Sequence, residues 1–290
     1  MVGGQWSVVS GQKTPPASGG EPLLVPGTNH LDMLLALDVA SSICTVALFD
    51  PASDMVLAER VWVSRRRQTE ETLPAAADVL AQAGVEVDGV GILAVTTGPG
   101  SFTGVRIGIS VVKGIALGLP QPPQLIGLPV LSVTAARFVP LAAGRAVVWP
   151  LLQAGRGRFN WAAAPADDPL WLPAVTEHCA GQVEALVAAL RGEARPVWLV
   201  GELTDGLRQA VQGLTHVRCI DPSADFDLEG QGKGAAGFHE GAVDVPDRRK
   251  QADMTQTRGE ALARLALRHL HAGSPALTAR LQPLYLRPPQ

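Results

Sequence analysis

Cysteine is scarce: the 290 residues hold three, Cys44, Cys179 and Cys219, widely spaced and with no CxxC pair. An odd, scattered set forms no disulfide framework and fits a reducing compartment. Cys44 sits in an apolar strand pattern, the setting of a small core residue. An excess of positive charge is also missing. Lysine and arginine number 24 against 27 acidic residues, for a formal net charge of −3. That balance argues against a protein that holds nucleic acid by its overall electrostatics. Arg65-Arg66-Arg67 is the one basic cluster, and a solvated turn is its plain reading. The six histidines, His30, His178, His216, His239, His269 and His271, include no i, i+4 pair that could share an ion on a helix. No metal and no cofactor is expected.

Other signatures are lacking too. No positive region followed by an apolar stretch opens the chain, so a cytoplasmic protein is expected. The apolar run of 101–119 is broken by Arg106 and Lys113 and falls short of an uninterrupted span, which argues against a transmembrane helix there. Residues 1–32 are rich in Gly, Pro, Ser and Thr without periodicity and are expected to form a disordered tail, with Met33 as the functional start. No internal repeat occurs at solenoid periods. The length suffices for two domains or one large one, with ample apolar content for a core.

The patterns that are present describe an α/β chain. Strands are expected at 34–38, 45–49 and 55–63, a helix at 70–83, then a strand at 90–96. A short strand at 125–129 and a helix at 131–138 follow. A second lobe, from about residue 141, is expected to hold a hairpin of 147–153 and 158–164 around Gly155-Arg156-Gly157. Helices at 180–191 and 206–212, with a strand at 197–201 between them, complete that run. Residues 222–256 are Gly-rich, charged and unpatterned, as in a long mobile loop. A helix at 259–271 and a terminal strand Pro283-Leu284-Tyr285-Leu286 close the chain.

The densest signal is Gly98-Pro99-Gly100-Ser101-Phe102-Thr103-Gly104-Val105-Arg106-Ile107-Gly108. It reads as a tight turn feeding a helix that Ser101 or Thr103 can cap. Each interior glycine costs the helix roughly 0.5–1 kcal/mol relative to alanine. At about 100° per residue, Ser101, Gly104, Gly108, Ser110, Gly114 and Gly118 share one half of the circumference with Ile107, Val111 and Ile115. Arg106 and Lys113 project from the other half. Such a face admits a close neighbour, either the chain's own sheet or the helix of another protein. The turn lacks the lysine and hydroxyl of a P-loop. The serine of Gly100-Ser101-Phe102-Thr103-Gly104 directly follows its glycine, unlike a G-x-S-x-G elbow. Asp38, at the end of the first strand and ahead of Ser41-Ser42, suits either a carboxylate coordinating magnesium on a nucleotide or ordinary turn capping.

The GPGSFTGxRIG string, with Asp38-x-x-Ser41, Thr72-Leu73-Pro74 and the terminal Pro283-Leu284-Tyr285-Leu286-Arg287, resembles the bacterial TsaB (YeaZ) family. The resemblance is strong over residues 33–135 and weak from 140 to 275. It implies an actin-like ATPase (ASKHA) superfamily fold with two lobes, each a mixed sheet flanked by helices, at 33–140 and 141–290. It further implies a non-catalytic dimerisation subunit that binds the TsaD-type catalytic paralogue and works with a TsaE-type ATPase. The complex so implied transfers threonylcarbamoyl to the adenosine beside the anticodon of ANN-reading tRNAs, and this chain meets tRNA only through it. The partner-binding residues expected on that basis are Leu73, Ala77, Leu80, Gly104, Ile107, Gly108, Val111 and Ile115. Without a partner, a second copy of the chain could cover the same face, giving a homodimer. An ATPase or phosphotransferase using Asp38, with Ser41 and Ser42 at the phosphates, is the competing expectation. The chain departs from the family pattern in two places: Arg67-Gln68-Thr69 stands where a histidine usually precedes the first helix, and Gln153-Ala154-Gly155 with Arg158 and Asn160 replaces a stretch resembling Asp-Ala-Arg followed by Glu and Tyr.

Overall fold

A computed structural model describes residues 33–220, 257–274 and 281–284. The tail expected at 1–32, the loop expected at 222–256 and the end of the expected terminal strand from Tyr285 lie outside the described residues. Residues 281–284 carry no strand.

In the first half, strands β1 (Met33–Asp38), β2 (Ile43–Asp50) and β3 (Met55–Val63) form an antiparallel meander. Helix α1 (Gln68–Ala83) leads to β4 (Val90–Gly98), and helix α2 (Phe102–Gly118) leads to β5 (Gln124–Pro129). The sheet order is β3-β2-β1-β4-β5, with β1 and β4 parallel. Every residue of β1 is buried, as the continuous run Met33-Leu34-Leu35-Ala36-Leu37 requires of a central strand covered on both faces. Helix α1 begins without a side-chain cap and ends at Gly84, whose φ of 65° is the left-handed C-cap glycine favours. Pro74, its seventh residue, lies past the first turn and removes one i→i−4 hydrogen bond from the helix.

Helices α3 (Val130–Ala136) and α4 (Val139–Ala142) follow β5. A second sheet comes next: β6 (Val147–Gln153), β7 (Arg158–Trp161) and β8 (Cys179–Gln182), then helix α5 (Val183–Arg191), β9 (Val197–Gly201), helix α6 (Asp205–Val211) and β10 (Val217–Ile220). Its order is β10-β9-β6-β7-β8, with β6 antiparallel to β7 and parallel to β9. Read from the other edge, this is the first sheet again: three antiparallel strands, a helix, a strand parallel to the first, a helix and a fifth strand. Both fourth strands end on a glycine at positive φ, Gly98 at 107° and Gly201 at 112°. A Cβ on Gly201 would overlap the Leu151 carbonyl, so only glycine fits there. Leu151, Phe159, Trp161, Leu186, Leu190 and Leu199 form the core of this half.

Three expectations change. The helix expected at 180–191 begins only at Val183, because Cys179–Gln182 pairs with β7 as an edge strand. Strand β10 was hidden in sequence by its four-residue length. Contacts divide the chain after Leu128 rather than at residue 140. The first unit holds residues 33–97, 101–128 and the described part of 262–283. The second holds 98–100, the described part of 129–261, and 284. The last helix, α7 (Arg258–His271), thus goes with the first unit from Leu262 onward. No helix among the described residues is long and apolar enough to cross a membrane.

Candidate functional site

The motif turns sharply between β4 and α2. Gly98 at φ 107° is in a region side chains avoid, and a Cβ there would stand 3.0 Å from the Leu284 carbonyl oxygen. Ser101 then caps α2. Its hydroxyl accepts the Gly104 N–H at 3.1 Å, and its own N–H donates to the Ala40 carbonyl at 2.7 Å. The start of α2 is thereby fastened to the β1–β2 turn.

The small-residue face of α2 divides along the length of the helix. Gly104 and Gly108 are buried against the first unit's own sheet. A Cβ on Gly104 would overlap the Val39 carbonyl oxygen, and one on Gly108 would lie 2.9 Å from Val39 Cγ2 and 3.2 Å from Val95 Cγ2. These two expected partner contacts are therefore corrected to intramolecular packing: the glycines let α2 lie close on β1 and β4. Gly114 and Gly118, further along the helix, have nothing within 4 Å of an added Cβ. With them on the outer side stand exposed Ser110 and half-buried Ile107, Val111 and Ile115. Leu117 is 88% exposed.

Helix α1 packs against α2. One flank of α1 is tied to β3, where Arg60 pairs with Asp78 and the Trp62 indole N–H donates to Glu71 at 3.0 Å. At helical spacing Leu73, Ala77 and Leu80 fall on the opposite flank, toward α2. Leu80 is buried there and is corrected to core; Leu73 is 54% exposed and Ala77 is exposed. Leu73 and Ala77 of α1, with Gly114 and Leu117 of α2, are thus exposed, and Ile107 and Val111 are half-buried.

The residues expected at a phosphate are engaged locally. Asp38 is wholly buried, and its Oδ1 accepts the Ala40 N–H at 3.2 Å and the Thr96 hydroxyl at 2.9 Å. This is turn capping with a tie to β4, a partner that sequence separation concealed. The Ser41 hydroxyl donates to the Ile43 carbonyl at 2.9 Å and accepts the Ile43 N–H at 3.2 Å. Ser42 is exposed. Among the described residues no group of three or more His, Cys, Asp and Glu side chains could hold a metal ion. A polar cavity of about 260 Å³ lined by Asp88, Val90, Gln121 and Gln124 lies at the far end of β4. In the second unit the Gln153 N–H donates to Glu202 at 2.8 Å, and Gly155, Arg156 and Gly157 turn at φ 74°, 52° and 74°.

Residues 56–168 match the family model described as TsaD, tRNA N6-adenosine threonylcarbamoyltransferase. The chain is 35% identical over 135 residues to the tRNA threonylcarbamoyladenosine biosynthesis protein TsaB of Escherichia coli, covering 47% of this chain and 56% of that protein. It is 36% identical over 102 residues to the same-named protein of Haemophilus influenzae, covering 35% of this chain and 40% of that one. Over these stretches the chain is similar to TsaB proteins. Its match spans about half the length of these TsaB relatives. The solved structure of YeaZ from Pseudomonas aeruginosa, 22% identical, aligns over 88% of this chain and 100% of its own with a TM-score of 0.55. That similarity shows that the two mixed sheets share the fold of that structure. TsaB relatives are named for biosynthesis of a modified tRNA nucleoside rather than for a catalytic step.

Proposed function

We infer that this chain is a non-catalytic scaffold subunit that pairs with a TsaD-type catalytic paralogue, together with a TsaE-type ATPase, in threonylcarbamoyl transfer to tRNA. The observation that carries the reading is the outward surface of α1 and α2. Leu117 is 88% exposed beside Gly114 and Gly118, where an added Cβ meets nothing within 4 Å and a second helix has room to approach, and Leu73 on α1 is 54% exposed. Exposed apolar side chains around small residues are the composition of a helix-to-helix interface rather than of a solvated face. The names of the TsaB relatives supply the pathway. The cytoplasm is the compartment where such a complex would act.

Co-purification of the full chain with the TsaD-type paralogue of its own organism tests the reading. The pair is expected to form with the native chain and to be lost with Gly114→Leu or Leu117→Asp, both outward positions, while the thermal midpoint of the isolated chain stays within a few degrees. Retained pairing in both variants overturns the α1/α2 face. Tight magnesium-dependent ATP binding by the isolated chain, abolished by Asp38→Ala, would instead establish the nucleotide-using reading.

A further inference from the structure

Strands β4 and β5 are neighbours in the first sheet, and the segments that lead into them frame a recess. Ahead of β4, a single helical turn at Val87–Gly89 carries Asp88. Ahead of β5, Leu119-Pro120-Gln121-Pro122-Pro123-Gln124 joins the end of α2 to the strand. Three prolines fix φ in that link and bias the residues before them to extended backbone, as at Leu119 with φ −78° and ψ 142°. The link is therefore stiff, with a glutamine on each side of Pro122-Pro123. The recess has a volume of about 260 Å³. Its lining residues include one acid, Asp88, and two amides, Gln121 and Gln124, with no lysine, arginine or histidine. All three are exposed, and none makes a side-chain hydrogen bond or ion pair among the described residues. The last turn of α2, from which the link departs, holds no basic residue either. The recess thus combines an unanswered carboxylate with two unused amides on a stiff frame.

We propose that the recess binds an alkylguanidinium group, as carried by an arginine side chain or by a small guanidino compound. Asp88 is the bidentate acceptor for two parallel N–H groups, and the side-chain carbonyls of Gln121 and Gln124 take others of the five donors. The rings of Pro122 and Pro123 give the planar, weakly hydrated cation a flat apolar surface that a compact ammonium uses less well. Other ligand classes fit poorly. An anion meets nothing positive in the lining. One carboxylate beside two neutral amides leaves a divalent cation mostly to water. The site stands whether or not the α1/α2 face pairs with another chain.

NMR titration of the isotopically labelled full chain tests the site, with agmatine and N-acetylarginine methylamide as probes and N-acetyllysine methylamide as comparator. The Gly91 N–H and the side-chain amides of Gln121 and Gln124 are expected to shift saturably with both guanidinium probes. Asp88→Asn, which keeps the shape of the side chain, should weaken that binding about tenfold, as expected for losing hydrogen bonds to a charged group. Gln124→Ala should weaken it by a smaller factor. Glu184→Gln, at an exposed acid on α5, should leave it unchanged. Tighter binding of agmatine identifies a free guanidino compound as the ligand, and tighter binding of the capped arginine identifies a protein side chain; each supports the site. Shifts that do not saturate overturn it, as does binding that survives both Asp88→Asn and Gln124→Ala with native thermal midpoints. Equal binding of the lysine probe reduces the recess to charge alone and overturns the guanidinium assignment.

Discussion

Gly104 and Val39 are packed so closely that a single methyl group on the glycine would overlap the valine carbonyl oxygen. Helix α2 is therefore seated on the end of β1 by backbone against backbone. The glycines of α2 then divide by what they face.

That division sets an order of effects for single alanine substitutions. Gly104→Ala must displace main chain and is expected to destabilise the protein by about 3 kcal/mol or more. Gly108→Ala meets two methyl groups at 2.9 and 3.2 Å. The strain there offsets the gain of about 1 kcal/mol in helix propensity, for a net effect near zero or mildly destabilising. Gly114→Ala meets nothing and should stabilise by about 0.5–1 kcal/mol. Urea unfolding of the three variants, read at constant slope, checks the order.

Arg264 of α7 reaches back to the β2–β3 turn. Its guanidinium donates to the Asp54 carboxylate at 2.6 Å and to the Asp54 carbonyl at 3.1 Å, and lies 5.0 Å from the Phe49 ring centroid. Asp54 is open to water, with 72% of its side chain exposed, so the carboxylate contributes little. The carbonyl and the ring carry most of the effect. Arg264→Ala should cost about 1–2 kcal/mol in thermal or urea unfolding, and Arg264→Lys should recover less than half, because an ammonium lacks the planar fork.

His178 is half-buried in the second unit, and neither ring nitrogen has a hydrogen-bond partner among the described residues. Burial holds its imidazole below the usual 6.5, with Glu177 opposing the shift in part. The unfolded chain takes up a proton there more readily than the folded one. Stability is then fully present above pH 6.5 and falls as the pH drops below it, by no more than about 1.4 kcal/mol per unit. Unfolding free energies at pH 7 and pH 5 should converge in His178→Gln. An equal loss in the variant would assign the acid sensitivity to other groups.

Glu193 responds in a lower window. The Arg195 guanidinium donates to it at 2.9 and 2.8 Å and brings its carboxyl down to about 2. The stability it adds is present above 4.5 and is lost as the pH falls toward 2. Arg195 is exposed, so solvent screening keeps the contribution below about 1 kcal/mol. Carboxyl-resolved NMR titration should place Glu193 near 2 in the native chain and near 4.5 in Arg195→Ala.

The first sheet was largely legible in sequence. Its strands are long and apolar, and the 98–108 motif names the turn and cap directly, because Gly, Pro and Ser have few other reasons to stand in that order. The second sheet was harder to read. Cys179–Gln182 carries little pattern of its own and merges in sequence with the helix that follows. The four residues of β10 are too short a run to declare a strand. Asp38 could be placed at a strand end, but its bond to Thr96 joins residues 58 apart. No local pattern contains such a pair.

By itself the sequence determined the strand and helix periodicities, the Ser101 cap and the family motif, since each depends on residues within a turn or two of one another. Only the tertiary structure decided that the second sheet repeats the first, because strand order is a property of pairing and the two halves share topology without a shared residue pattern. It also decided which glycines of α2 face inward. Gly104, Gly108, Gly114 and Gly118 lie within one half of the helix circumference, and residue type alone does not mark where the sheet beneath ends. Val39 and Val95 mark it, by standing where a side chain on the first two would have to go.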